Sequence, residues 1–488
     1  MTNVIFPSID WLAALPALVV VTTALVVLTV DLAMSSEVDH AGHGLLAGLG
    51  VLGLVGAMIA SAMLWHRGGA AFGNTVVADR YGLFFSMLVC GASAIVTMMA
   101  VDFLATARIK IGEFYALVLF ATAGMVLMAT GNDLMVLFLA LEIMSVAVYV
   151  LAGIARDEPR ATEAALKYFL LGAYATGFFL FGIALLYGAT GATRLDLVAA
   201  RLGAGNAANP LVLLGMGLLL VGFGFKVAMM PFHVWTPDVY EGAPTAVTTL
   251  MAVGVKAAAF AAFVRVFLQY LPGLEGAWSG LLWLLAGLTM TVGNLCALAQ
   301  DNVKRMLAYS SIAHAGYALV GMVVGTADGG ASVLFYLLAY ALTNLGAFGV
   351  VMALGRAGAA NERLEDYAGV GFTHPLLGFA MAVCMLSLTG MPPLAGFAGK
   401  FYLFSAAVDA GFVGLAVIGV LNSLVSAYYY FGVIRQMYMV DGTPRIDPLA
   451  ARPYLAAGLI LAVGATVALG LFPAGAMHLA RDSFLGLG

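Results

Sequence analysis

Lysines buried in apolar sequence set the first question. The chain has 488 residues and six lysines, and Lys167, Lys226, Lys256 and Lys400 lie inside long apolar runs. One acidic residue, Glu142, sits clearly in mid-run, and none of the fifteen arginines is expected to. A charged side chain near the centre of a bilayer costs about 2.5–3.5 kcal/mol on insertion scales, so the lysines together carry roughly ten kcal/mol of unfavourable insertion energy. A chain that keeps such residues has a use for them. Lysine is the base that desolvation can make titrate near neutrality, whereas arginine keeps its charge. The chemistry open to these side chains is proton transfer, and the pattern points to a proton path.

Depth along each run refines the roles. Glu142 lies nine residues beyond Asp133, about 13 Å into the bilayer and close to the midplane. An isolated carboxylate there stays neutral, and a nearby ammonium restores its charge. The expected partner is Lys226, about 22–24 Å along its own span. The pair reads as a switch: the lysine holds its proton when the two approach and releases it inward when they separate. A static structural pair is the plainer alternative. Lys256 is about 20 Å deep, in a local sequence without a carboxylate, and reads as a relay between two halves. Lys400 reads as the relay of the second half. Lys167 has Glu163 one turn before it, so an ordinary edge pair and a relay role stay equally open. His314 lies about 15 Å deep beside Ser310 and Ser311; it is either a relay or a hydroxyl-bonded histidine. His233 follows Pro231 and faces either the same water or the interface. Asp238, Tyr240 and Glu241 are expected at a cytoplasmic mouth.

The elements that must position these residues are membrane helices. Apolar residues make up 63% of the chain and charged residues 9%, against about 25% charged in soluble domains. Several runs exceed eighteen apolar residues, which predicts an all-α polytopic membrane protein rather than a barrel of short alternating strands. Fourteen spans are expected, near 11–32, 44–65, 81–101, 113–130, 133–154, 163–189, 210–240, 243–269, 276–300, 303–325, 329–355, 374–408, 410–436 and 452–480. The first ten residues carry no Lys or Arg, so no signal peptide is expected and the first span is retained. With fourteen spans, Arg67, Arg80, Arg194, Arg201, Arg265 and Arg481 fall on one side. Arg108, Lys110, Arg156, Arg160, Lys304, Arg305, Arg356, Arg363, Arg435, Arg445 and Arg452 fall on the other. The richer side is expected to be cytoplasmic, with both termini outward, periplasmic in a Gram-negative cell. The acidic first loop (Glu37, Asp39) does not bear on that rule.

Short loops leave no room for a nucleotide-binding sheet, and Gly222-Phe223-Gly224 lies inside a span with no preceding strand. Cys90, Cys296 and Cys384 stand in separate runs without pair or cluster spacing. No metal, no redox centre and no nucleic-acid partner are expected on this chain.

An internal repeat is visible. Gly-Phe-Gly-Phe-Lys at 222–226 is echoed by Gly-Phe-Ala-Gly-Lys at 396–400, both in overlong, proline-bearing spans. Spans 7 and 12 are five apart, so the two lysines lie on helices of opposite direction. This predicts inverted five-helix repeats, spans 4–8 and 9–13, with broken helices 7 and 12. The expected division is a three-helix segment 1–112, a first repeat 113–269, a second repeat 276–436 and a C-terminal helix in 437–488. Pro231 deprives the Val227 carbonyl of its helical partner, and Pro392 and Pro393 do the same to Leu388 and Thr389. Freed carbonyls in lipid need protein or water, which makes the breaks access points for a water chain.

Four stretches carry a family resemblance: Ala165-Leu-Lys-Tyr-Phe-Leu-Leu-Gly-Ala-Tyr174, Pro231-Phe-His-Val-Trp-Thr-Pro-Asp-Val-Tyr-Glu-Gly-Ala-Pro244, Asp301-Asn-Val-Lys-Arg-Met-Leu-Ala-Tyr-Ser-Ser-Ile-Ala-His-Ala-Gly-Tyr317 and Gly390-Met-Pro-Pro-Leu-Ala-Gly-Phe-Ala-Gly-Lys400. Over most of its length the chain resembles the antiporter-like membrane subunits of respiratory complex I. The resemblance implies proton translocation driven by NADH oxidation and quinone reduction in other subunits. It implies that Glu142 and Lys226 are the key pair, Lys256 the central relay and Lys400 the distal site, with Lys167 and His314 supporting. It assigns NADH, FMN, iron–sulfur clusters and quinone to other subunits, names the other membrane-arm subunits as partners, and implies a bacterial inner membrane. Lysine at 400, lysine rather than histidine at 256, and no long extension after span 14 resemble the N-type branch rather than the M and L types. The competing functions are a subunit of a multisubunit sodium/proton antiporter of the same superfamily, a structural spacer with vestigial lysines, and a lone quinone reductase.

Overall fold

In hydrocarbon no water is available to backbone N–H and C=O groups, so each apolar run closes its own hydrogen bonds as a helix. The computed structural model describes residues 10–34, 39–107, 109, 112–202, 209–355, 361–444, 446 and 448–485. Glu37, Arg108, Lys110, Arg356 and Arg445, used above in the loop charge pattern, lie outside these residues. Thirteen helices among the described residues are long and apolar enough to cross a membrane. The first six spans are Leu15–Ala33, His40–Leu64, Arg80–Ala107, Glu113–Thr130, Leu134–Ala152 and Pro159–Thr190. Spans 7 to 11 are Pro210–Val227, Thr245–Tyr270, Glu275–Leu298, Val303–Val324 and Ala327–Leu354. Span 12 is made of two half-helices, Pro375–Thr389 and Ala395–Asp409. Span 13 is Val413–Met439 and span 14 begins with Pro453–Leu471.

Local sequence explains the ends. Asp133, Asn209, Asn302 and Thr326 each accept a backbone N–H in the first turn of the helix they precede. Pro159, Pro210, Pro375 and Pro453 stand at first positions, where their missing N–H costs nothing.

Span 7 breaks as expected: its helix ends at Val227, and a short helix, Trp235–Gly242, follows the turn. The structure departs from the sequence expectation at three places. Span 14 breaks at Phe472, and Pro473–Leu485 is a separate helix because proline cannot supply the N–H that would continue the first one. The chain is not wholly α: Ala70–Ala71 pairs antiparallel with Val76–Val77 across a turn in which Phe72, Gly73 and Asn74 all have positive φ. Span 8 contains two π-helical segments, Met251–Val255 and Arg265–Tyr270. A π turn shifts the register of the helix face, and the first one ends immediately before Lys256.

Burial ranks the helices. Span 8 is buried along its whole apolar window, and spans 10 and 11 nearly so, whereas spans 1, 2, 6, 13 and 14 are largely exposed to the surroundings. Span 8 contacts spans 3, 4, 7 and 11, so it forms the axis on which the two halves meet.

Arg265, expected among the basic residues at the outward side, is enclosed by protein instead. It is fully buried near the end of span 8. Its guanidinium donates to both Asp79 oxygens, at 2.6 and 2.8 Å, and to the Ala129 carbonyl at 2.8 Å. The start of span 3 wraps over this end of span 8 and brings the carboxylate with it. Breaking a buried pair by removing one partner costs about 3 kcal/mol or more. Arg265→Ala is therefore expected to lower the amount of folded protein recovered from membranes severalfold. Arg265→Lys is expected to recover only part of it, because one ammonium cannot reproduce the two-pronged contact.

Candidate functional site

Lys226 lies in the last turn of the span 7 helix and is buried. The helix stops there because Ala228 turns into the left-handed region, with φ of 61°. The chain then doubles back, and Gly224 leaves the space: a Cβ there would meet Met229 Cε at 2.7 Å and Phe232 Cδ2 at 2.8 Å. The Phe225 carbonyl accepts from the Ala228 N–H at 3.1 Å and from the Trp235 indole at 3.0 Å. The Lys226 ammonium donates to the Tyr149 hydroxyl at 3.3 Å. It also faces the rings of Tyr149, Tyr168 and Phe225, with centroids 5.2, 5.3 and 5.5 Å away.

Glu142 and Lys226 are held apart. No ion pair joins them, and Glu142 is half-buried with its Oε1 enclosed and without a hydrogen-bond partner. The structure thus holds the separated arrangement of the two groups. Glu142, Ser145 and Tyr149 share one face of span 5 at spacings of three and four residues.

The second repeat carries a matching arrangement. Lys400, buried after the span 12 break, donates to the Leu388 and Thr389 carbonyls, both at 3.0 Å. These are the two carbonyls that Pro392 and Pro393 free, so the ammonium itself occupies the break. Tyr317 lies beneath it, 4.5 Å from Nζ to the ring centroid. Tyr168 is the tenth residue of the span 6 helix and Tyr336 the tenth of span 11. Tyr149 meets Tyr168 edge-on at 4.7 Å, and Tyr317 meets Tyr336 edge-on at 6.4 Å. Each repeat therefore sets a broken-helix lysine against a tyrosine of its second span, which in turn meets a tyrosine of its third.

Lys256 and His314 occupy the centre. The Lys256 ammonium donates to the Ser311 carbonyl at 2.6 Å and to the Ser311 hydroxyl, and faces the Tyr340 ring at 5.8 Å. His314, one turn further along span 10, places Nδ1 at 2.6 Å from the Tyr336 hydroxyl and Nε2 at 3.1 Å from the Tyr430 hydroxyl. Ser310 bonds the same Tyr430 hydroxyl. Hydroxyls, a serine carbonyl and an imidazole of the second repeat thus line the interior beside Lys256.

Lys167 belongs to a different environment. It is partly exposed and pairs with Glu163 at 2.7 Å and with Asp238 at 2.7 Å. Asp238 also takes Arg305 at 2.8 Å, and Arg305 reaches Glu241 at 2.8 Å. Lys304 bonds Glu362 at 3.0 Å and the Ala243 carbonyl at 2.6 Å. A cavity of about 390 Å³ opens beside this network, with Arg160, Glu241, Lys304 and Glu362 in its wall. Tyr240, grouped by sequence with the mouth, is instead buried against Trp235. His233 sits half-buried at the break with Nδ1 enclosed and unpartnered, outside the lysine line.

Inverted units with broken helices that present buried cations are the architecture of ion-coupled membrane proteins. The family described as "NADH:quinone oxidoreductase/Mrp antiporter, TM" matches residues 131–426, which include both breaks. "NADH-quinone oxidoreductase subunit N" of Trichlorobacter lovleyi is 46% identical over 480 residues, covering 98% of each chain. The protein of that name from Chloroflexus aggregans is 45% identical over 494 residues, covering 100% of each. The chain belongs to the NADH-quinone oxidoreductase subunit N family. Among solved structures, a chain of respiratory complex I from Thermus thermophilus with bound aureothin is 38% identical, with a TM-score of 0.81 over 96% of this chain and 99% of that one. A chain of the Mrp complex from Dietzia sp. shares the fold, with a TM-score of 0.86 at 21% identity over 98% of each chain.

Sequence reasoning picked out the cations, the Glu163 partner of Lys167 and the carboxylates of the mouth; it missed the tyrosines around the interior lysines and the ties of Asp238 and Glu362 to Lys167, Arg305 and Lys304. Exposed ion pairs contribute about 0–1 kcal/mol. Lys167→Ala is thus expected to change the thermal stability of the purified complex by less than about 1 kcal/mol, because Arg305 still holds Asp238. A differential scanning measurement on the two purified complexes checks this.

Proposed function

We propose that this chain moves protons through the membrane arm of an NADH–quinone oxidoreductase, along Glu142, Lys226, Lys256, His314 and Lys400. Redox energy is supplied by other subunits. Lys167 and His233 lie at the margins of this path. NADH, FMN, iron–sulfur clusters and quinone are assigned to partner subunits, and this chain acts as part of the translocase without a redox site of its own. Cys90, Cys296 and Cys384, free thiols on three separate helices, accord with that division.

One observation carries the proposal. Lys226, Lys256 and Lys400 are buried, and each is held by neutral oxygens and ring faces. A permanently charged ammonium at such a depth calls for a carboxylate. Neutral dipoles accommodate both the ammonium and the free amine, which a proton carrier must be able to become. The division into 1–112, 113–269, 276–436 and 437–488 follows from the repeat, and the excess of loop lysine and arginine supports outward-facing termini.

The fold is shared with a chain of an Mrp complex, so sodium/proton exchange is the second reading. The isolated chain in liposomes separates the two: only an antiporter exchanges ions without redox partners. The main test uses native membranes carrying Lys226→Ala, with assembly checked on a native gel. NADH-driven quinone reduction and proton uptake are expected to fall together by tenfold or more in the assembled complex. Wild-type rates of both would make the lysine structural.

A further inference from the structure

We infer that Tyr149 is a positioning residue that holds the Lys226 ammonium away from Glu142, so that Lys226 alternates between a neutral hydroxyl partner and a carboxylate partner. The inference rests on the reading of Lys226 as a proton site and adds a residue that no motif singled out.

Three observations support it. The hydrogen bond from Lys226 goes to the Tyr149 hydroxyl, at 3.3 Å, while the enclosed Glu142 Oε1 has no partner. Tyr149 stands on the same face of span 5 as Glu142, two turns further along, so a lysine leaving one meets the other. The hydroxyl has a made place: Gly172 of span 6 lies so close that a Cβ there would come within 2.0 Å of the Tyr149 oxygen and 2.7 Å of its Cζ. Any larger residue at 172 would drive the ring from its position beside Lys226. The ring is also fixed edge-on against Tyr168 at 4.7 Å and against Phe169 at 5.9 Å.

The physical effect follows from what the hydroxyl offers. A neutral acceptor beside an ammonium favours the charged form, though less than a carboxylate does. The ring face adds a cation–π attraction that any aromatic residue at 149 would retain. The titratable groups that face Lys226 among the described residues are Glu142 and Tyr149 from span 5 and Tyr168 from span 6. Tyr240 of the short helix after the break stands behind Trp235, which stacks on Tyr168 at 4.4 Å. Lys256 on span 8 is the next cation along the path. With Tyr149 in place, Lys226 keeps its proton after parting from Glu142 until the next site can take it. Without the hydroxyl, the proton is lost too readily.

The test is Tyr149→Phe in the full complex in native membranes, which deletes the hydroxyl and keeps the ring. Assembly is checked on a native gel, and NADH-driven proton uptake and quinone reduction are followed from pH 6 to 9. The expected result is an assembled complex whose alkaline limb of proton uptake moves to lower pH by about one unit, with fewer protons taken up per quinone reduced. A profile and a stoichiometry that superimpose on the unaltered complex would overturn the inference. Gly172→Ala displaces the hydroxyl from the facing helix with Tyr149 intact, and the same shift is expected. Should Tyr149→Phe fail to assemble, Gly172→Ala decides between the same two outcomes. The result is distinguishable from failure of the parent reading. An unmoved Tyr149→Phe profile, in a complex where Lys226→Ala abolishes proton uptake, removes the tyrosine and leaves the lysine. Unaltered uptake in Lys226→Ala removes both.

Discussion

Burying an ammonium without a carboxylate is the constraint on which the rest of this structure depends. Among the described lysines the contrast is sharp. Lys167 pairs with the carboxylates of Glu163 and Asp238, and Lys304 with that of Glu362. Lys226, Lys256 and Lys400, in the interior, are held by a tyrosine hydroxyl, a serine and two backbone carbonyls. The desolvation of each interior lysine is offset by dipoles whose own state need not change when the proton leaves. A fixed ion pair at each position would be easier to keep charged and harder to discharge. The interior partners therefore define sites that can empty and refill.

For Lys400 a helix break provides those dipoles. Backbone carbonyls are normally consumed by their own helix, and a break releases them in a water-poor interior. At span 12 the prolines free Leu388 and Thr389, and the Lys400 ammonium occupies both carbonyls. At span 7 the Phe225 carbonyl is taken by the Ala228 N–H and the Trp235 indole, and Lys226 is left to a hydroxyl and ring faces. The two repeats thus use one device with different partners, so their lysines need not hold protons equally well. Span 8 joins the repeats, and its π-helical turn presents Lys256 toward Ser311 of span 10, in the opposite half.

The cations and the breaks were legible because they violate the composition around them. A lysine in an apolar run and a proline in mid-span are each costly, and the paired Gly-Phe motifs gave the inversion. Tyrosine gives no such signal, since it sits in apolar helices at little cost and its hydroxyl matters only when a neighbour is known. Tyr149 touches Lys226 across 77 residues, a pairing that no local pattern encodes. Arg265 was misread because it stands near a run's end and its carboxylate is 186 residues away. Asp238 was assigned to the mouth, but its tie to Lys167 across 71 residues appears only in the fold. The Glu142–Lys226 pair could be drawn from depth alone, whereas the separation of the two groups could not.

Whether proton release, rather than fixed charge, is what the interior lysines supply is tested most directly at the centre, with Lys256→Arg. Arginine keeps the charge and the hydrogen-bond donors beside Ser311 and cannot give up its proton. In an assembled complex, simultaneous recording of NADH-driven quinone reduction and proton uptake gives the answer. Loss of proton uptake by tenfold or more, despite the conserved charge, is the result this account predicts. Proton uptake at the wild-type rate would mean that a permanent cation at position 256 suffices, and the proton path would have to run elsewhere.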